Sequence, residues 1–179
     1  MPEIAIRPMQ EADLPVLIGL EHSGQTLAVW QLDRVAEQHR WGATFRLARL
    51  PRPAHVEYPR RAAELQTRWQ AADLALTALF EGQPVAYVTL KQRSEAGVLW
   101  VEDVVTRLNL RRQGIATALL LAGRSWALQG SWRAMAMEVP AKNVPMIELA
   151  IRLGYVFSGY REAYFANQEI AAFFFHTLR

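Results

Sequence analysis

Val98–Leu121 reads VLWVEDVVTRLNLRRQGIATALLL, and the order of its parts decides how the rest of the chain must be arranged. Val98 to Thr106 is rich in β-branched and aromatic residues, which predicts a strand, and an acidic pair, Glu102-Asp103, sits in its middle. A short polar connection, Arg107-Leu108-Asn109-Leu110, leads to Arg111-Arg112-Gln113-Gly114-Ile115-Ala116 and straight into an apolar helical segment. A strand, a tight turn with one glycine and two arginines, and a helix N-terminus together make an anion site. The first-turn amides of such a helix have no internal partner, and the helix dipole favours negative charge there. Glycine at position 114 lets an anion approach the main chain where a side chain would block it. A phosphate ester is the anion that fits.

At these residues the chain resembles the GNAT superfamily of acetyl-CoA-dependent N-acetyltransferases. Arg111-x-x-Gly114-x-Ala116 fits the family signature Gln/Arg-x-x-Gly-x-Gly/Ala. The resemblance implies that the turn, from Arg111, Arg112, Gln113 and Gly114 to Ile115, Ala116 and Thr117, holds the pyrophosphate of coenzyme A. It implies acetyl-CoA as co-substrate and no metal. It also implies that the main chain of Val104, Val105 and Thr106, at the splayed end of the central strand, pairs with the pantetheine arm and polarises the thioester carbonyl.

A second stretch, Glu138-Val-Pro-Ala-Lys-Asn143-Val-Pro-Met-Ile-Glu-Leu-Ala150-Ile-Arg-Leu-Gly154-Tyr155, resembles the family's second motif, E-x4-N-x2-A-x3-Y-x3-G-F. Asn143 matches the asparagine that contacts coenzyme A, and Gly154-Tyr155 stands for the glycine-aromatic pair. One position departs: Ala150 lies where the family has the tyrosine that protonates the leaving thiolate. Tyr155, Tyr164 or water are the substitutes to weigh. The opening Ile6-Arg7-Pro8 with Glu11-Ala-Asp-Leu-Pro-Val-Leu17 resembles the family's first strand and helix, and Tyr160–Phe175 resembles the tail of streptothricin-type members, with Tyr164 lining the acceptor site.

Composition sets the outer limits. The 179 residues suit one domain, with 51% hydrophobic and 21% charged residues. No apolar run approaches a membrane span, and Met1-Pro2-Glu3-Ile4 does not read as a signal peptide. No cysteine is present, so no protein thiol does the chemistry. His22, His39, His55 and His176 lack ligand spacing. A net charge of +3 is too mild for nucleic acid, and Arg60-Arg61 reads as a solvated helix end. A cytoplasmic protein is expected, with a small-molecule amine as partner, no nucleic acid, no membrane, and a homodimer as an allowed assembly.

Periodicity supplies the remaining elements. Ile4–Pro8 is a short strand, and a helix opens at Met9 with Leu14, Leu17 and Ile18 on one face. Residues 22–43 read as a part-helical segment packing Trp30, Val35 and Trp41 inward. Thr44–Leu50 alternates as a strand that Pro51-Arg52-Pro53 ends. Pro59 opens a helix to about Ala72, with Leu65 and Trp69 inward. Leu74–Phe80 and Pro84–Lys91 form a hairpin across Glu81-Gly82-Gln83. The helix after the anion turn carries a stripe of Ile115, Leu119, Ala122 and Trp126 and stops at Gly130. Arg133–Val139 is the next strand, parallel to the central one; Asn143 caps a helix to about Leu153. Tyr155–Tyr160 and Glu162–Phe175 close the chain as strands, with Phe173-Phe174-Phe175 as packing. The expected fold is α/β of the α+β kind: one GNAT domain over residues 1–179, with a mixed, mostly antiparallel sheet of about seven strands and helices on both faces.

Acetylating an amine needs a base, because an alkylammonium is almost fully protonated at neutral pH. Glu102, Asp103 and Glu138 are the candidates, with Tyr164 as a further catalytic candidate. Adjacent strand residues face opposite sides of a sheet, so only one of Glu102 and Asp103 is expected at the pocket. The Glu102-Asp103 pair resembles the small-amine members; a glutamate at the place of Glu138 resembles those that acetylate protein N-termini. The leading expectation is transfer of acetyl to a primary amine of a small molecule by direct attack in a ternary complex. Acetylation of a protein N-terminus or lysine is the alternative, and a non-catalytic acyl-CoA sensor, suggested by Ala150, the second. A dinucleotide-binding Rossmann domain is excluded, since the glycine pattern is wrong and an antiparallel meander precedes the turn.

Overall fold

The computed structural model describes residues 3–178. Met1 and Pro2, half of the opening that does not read as a signal peptide, lie outside the described residues. Among the described residues no helix is long and apolar enough to cross a membrane.

The strands are β1 (Ala5–Pro8), β2 (Gly24–Glu37), β3 (Arg40–Val56), β4 (Leu74–Phe80), β5 (Gln83–Gln92), β6 (Val98–Thr106), β7 (Ala134–Pro140), β8 (Val156–Arg161) and β9 (Ala171–Thr177). The helices are α1 (Leu14–Ile18), α2 (Leu65–Ala71), α3 (Ile115–Gln129) and α4 (Val144–Arg152). Seven strands form one sheet in the order β1-β4-β5-β6-β7-β9-β8, while β2 and β3 pair only with each other. All pairings in the large sheet are antiparallel except β6 with β7, which α3 joins as a crossover. The hairpin between β4 and β5 turns at Glu81 (φ 51) and Gly82 (φ 74), left-handed at both residues, which matches the twist of the flanking strands.

One face of the sheet carries α3 and α4 over the main core, where Leu90, Leu99, Val101, Ile115, Leu119 and Met135 are buried together. The opposite face carries α1 and α2, which cover Leu14, Leu17, Leu65, Tyr87 and Val105. The buried stripe of α3 runs Ile115, Leu119, Leu120, Gly123 and Ala127, rotated from the expected one, so Ala122 and Trp126 sit at its flank. Gly123 is there because Leu90 Cδ1 lies 2.8 Å from where a Cβ would be.

Four expectations are corrected. Residues 22–43 are not part-helical: they form β2 and the start of a long hairpin, and Trp41 is 87% exposed instead of packed inward. Pro51 and Pro53 do not end the strand. Thr26 pairs with Ala54 and Ala28 with Arg49, so Leu50–Pro53 bulge out of register. The missing proline N–H groups lie where no ladder bond is needed. The helix expected from Pro59 begins only at Ala62 with one tight turn before α2. Leu65 is nonetheless fully buried and Trp69 packs beside it, as the spacing of four requires. Finally, Glu162–Ile170 is a loop, and strand pairing resumes only at Ala171.

Candidate active site

The turn expected to hold an anion has the local conformation its sequence calls for. Gly114 takes φ 86 as the residue capping α3, and Arg112 is left-handed too, at φ 65. The first helical bond runs from Ala118 N to Gly114 O, 3.0 Å. The amides from Arg112 to Thr117 find no acceptor among the described residues, and they make up the cradle expected for an anion. Arg112 lines an open cavity of about 370 Å³ with Thr26, Ala28, Val144, Pro145 and Glu148. Close by, the buried Thr106 Oγ1 at the end of β6 has no partner among the described residues.

Beside the turn the sheet forks. The parallel ladder of β6 and β7 runs only from Val98–Ala134 to Val101–Met137. Beyond that point Glu102–Thr106 diverges from Glu138–Pro140, which frees main-chain groups along one edge of β6. At the same point β6 gains one residue against β5: Leu90 pairs with Val101, but Thr89 pairs with Asp103. Glu102 is the extra residue of this bulge. The expectation that Glu102 and Asp103 face opposite sides is thereby overturned. Val101 packs in the α3 core, while Asp103 bonds Arg68 of α2 on the other face, and Glu102 turns to that same face toward Arg93. A bulge cancels one step of strand alternation.

Each carboxylate has its own surroundings. Asp103 is 1% exposed and accepts from Tyr58 Oη (2.5 Å), Arg68 Nε (2.8 Å) and Thr89 Oγ1 (3.0 Å). Glu138 accepts from Arg93 Nη1 (2.5 Å), Arg60 Nη2 (2.5 Å) and Tyr164 Oη (2.8 Å). Burial alone would push the Glu138 carboxyl up, but Arg93, with Arg60 and Tyr164, outweighs it and holds the group below the usual carboxylate range. Burial, and then the bond to Glu138, raises the Tyr164 phenol. Glu102 is the least engaged of the three, with one Arg93 contact at 3.4 Å. Arg60 also donates to the Glu102 carbonyl (2.5 Å), so one guanidinium spans the fork from β6 to β7.

This combination of a forked parallel pair, an amide cradle at the crossover helix and a mixed seven-stranded sheet has a match in sequence. Residues 36–155, well over half of the chain, match the acetyltransferase (GNAT) family. The chain belongs to that family. It is an N-acetyltransferase with acetyl-CoA as co-substrate. Among solved structures it is similar to nourseothricin acetyltransferase, with TM-score 0.82 and 20% identity over 98% of this chain and 99% of that one. A Bacillus anthracis str. Ames protein assigned as a streptothricin acetyltransferase, solved with acetyl coenzyme A, gives TM-score 0.76 and 17% identity over 98% and 97%. The ribosomal-protein-S18-alanine N-acetyltransferase of Escherichia coli gives TM-score 0.68 and 16% identity over 98% and 94%. At these identities the likeness speaks for the fold. A search of curated proteins by sequence finds no match.

The remaining side chains of the acetyltransferase fall into place around the fork. Arg111 does not point into the cradle; it donates to Thr106 O (3.0 Å), Ser23 O (2.6 Å) and Glu21 O. Gln113 donates to Asn109 O, 3.2 Å. Asn143 Oδ1 caps α4 by accepting from Met146 N (3.3 Å). Tyr155 is buried in the α3 core with its hydroxyl directed at Met135 Sδ, 3.8 Å away, and its main-chain N–H donates to Ala150 O (3.0 Å). Sequence reasoning missed Tyr58, Arg60, Arg68, Arg93 and His22. Arg60 in particular is not a solvated helix end, although its neighbour Arg61 is exposed. Nothing in the spacing announces these residues, because they reach the site from four separate parts of the chain: the α1–β2 connection, the segment before α2, α2 itself and the loop after β5.

Proposed function

We propose that this acetyltransferase transfers acetyl from acetyl-CoA to a primary amine of a small molecule, by direct attack with both substrates bound. The observation that carries the reading is the fork with Glu102 on its α1/α2 face and the amide cradle at its end. The coenzyme would lie with its pyrophosphate on the amides of Arg112–Thr117 and its pantetheine arm along Val104, Val105 and Thr106. Asn143 would contribute by fixing the start of α4, and Arg112 as charge beside the cradle. Glu102 would receive the amine proton, directly or through water, since Asp103 and Glu138 are each held by three donors. Asp103 would position the bulge. Tyr164 would fix Glu138 and line the acceptor site. Bringing amine and thioester together supplies much of the acceleration without a tyrosine at Ala150.

Two features favour a small acceptor over a peptide. Trp30 N donates to Ala141 O (3.0 Å), so β2 lies across the end of β7, where an extended peptide would need an open groove. Glu138, the residue that resembles the N-terminus-acetylating members, is committed to two arginines. The test is thiol release from acetyl-CoA with polyamines, amino sugars, aminoglycosides, streptothricin, amino acids and N-terminal peptides. With no cysteine in the chain, a thiol reagent sees only product. Release with a small amine is expected; release with peptides alone would overturn the acceptor class.

A further inference from the structure

Arg111 belongs to the family signature, yet its side chain does something the anion turn does not require. Its guanidinium donates in three directions to three main-chain carbonyls: Thr106 at the end of β6, and Glu21 and Ser23 in the connection between α1 and β2. Gly24 lies beside it: a Cβ there would sit 3.4 Å from Nη1, at van der Waals contact, so a larger branched side chain would press on the guanidinium. No carboxylate of the described residues is within ion-pair distance of Arg111; its hydrogen bonds go to main-chain carbonyls, and the more distant Glu21 carboxylate adds a favourable charge interaction. The clamped segment carries His22. That imidazole is fixed at both nitrogens, Nδ1 against Leu20 O (2.6 Å) and Nε2 against Tyr87 Oη (3.0 Å). Its ring packs edge-on to Tyr58, centroids 5.1 Å apart, and Tyr58 bonds Asp103 beside the bulge. A continuous run of contacts thus joins the turn to the α1/α2 face of the fork.

We propose that Arg111 is a positioning residue that fastens Glu21–Gly24, and with it His22, to the coenzyme turn, so that acetyl-CoA occupancy and the acceptor-side wall are coupled through one guanidinium. The inference rests on the reading of Arg112–Thr117 as the pyrophosphate cradle. An anion in the cradle steadies the main chain from which Arg111 projects, and the Arg111 side chain then holds the segment. A lysine cannot replace it, because one ammonium lacks the planar fork that reaches three acceptors.

Hydrogen exchange tests the coupling, with acetyl-CoA as the probe. In the wild-type protein acetyl-CoA should slow exchange both in the first turn of α3 and in residues 20–24. In Arg111→Met and Arg111→Lys the first turn should still gain protection, while residues 20–24 exchange roughly tenfold faster with or without acetyl-CoA. Gly24→Val, which crowds Nη1 without touching the turn, should give the same pattern. Unchanged protection of 20–24 in all three variants would overturn the latch. Loss of first-turn protection in the arginine variants alone would make Arg111 a phosphate ligand, which also overturns it. A wild-type turn that gains no protection would instead refute the cradle, and the coupling with it.

Discussion

The two sides of the β6 fork are made of different materials. The cradle side is main chain: free amides, a left-handed glycine and a helix end, all within Arg111–Thr117. The α1/α2 side is side chain: Tyr58, Arg60, Arg68, Arg93, Glu102, Asp103, Glu138 and Tyr164, gathered from α2, the segment before it, two strands and two loops. A main-chain site depends on local conformation and leaves a short signature. A side-chain site depends on tertiary placement, and its members can sit anywhere in the chain.

That contrast can be broken most directly at Gly114. Gly114→Glu puts a side chain at φ 86 and a negative charge in the cradle, and should weaken acetyl-CoA binding by roughly 100-fold or more. Calorimetry showing unchanged affinity would remove the cradle. On the other side, Glu138→Gln should lower stability by about 3 kcal/mol, because it leaves Arg60 and Arg93 without their shared carboxylate. The pH dependence follows from the lowered carboxyl. Its contribution is complete above the ordinary carboxylate range and is lost as pH falls through the depressed folded value. Chemical melts of the variant should therefore lose less stability on acidification than those of the wild type; parallel acid limbs would contradict the pairing.

Glu102→Gln should reduce kcat by roughly 100-fold, most at low pH, with acetyl-CoA affinity unchanged. A pH–rate profile identical to the wild type would assign the proton to water or to another group. The smallest effect is expected at the hairpin tip. Trp41→Ser should shift stability by less than about 0.5 kcal/mol, as its ring is almost wholly exposed. A large loss in thermal midpoint would show that something covers this tip in solution.

The same division governs what could be read from the chain. Leu74–Phe80, Val98–Thr106, the helix ending at Gly130 and the turn before it were legible, because periodicity, a glycine and a cap are local signals. The parallel placement of β7 followed from the crossover helix. The β2–β3 hairpin was misread because its aromatics suggested burial, whereas Trp41 faces solvent and Phe45 packs on Phe157 and Tyr160, far along the chain. Glu102 and Asp103 were expected on opposite faces because a bulge is set by the partner strand, and one strand alone does not reveal it. Arg60 and Arg93 meet at Glu138 across the sheet, a meeting that no spacing encodes.

The β2–β3 hairpin has a consequence for how such a protein can change over generations. Its strands bond each other and no strand of the seven-stranded sheet, and β2 is tied to the β7–α4 connection by the Trp30–Ala141 bond. Adding or deleting a facing pair of residues near Glu37–Arg40 would alter the reach of the arm and leave every register of the sheet as it is. Lineages could therefore lengthen, trim or resurface this appendage while inheriting the catalytic framework intact.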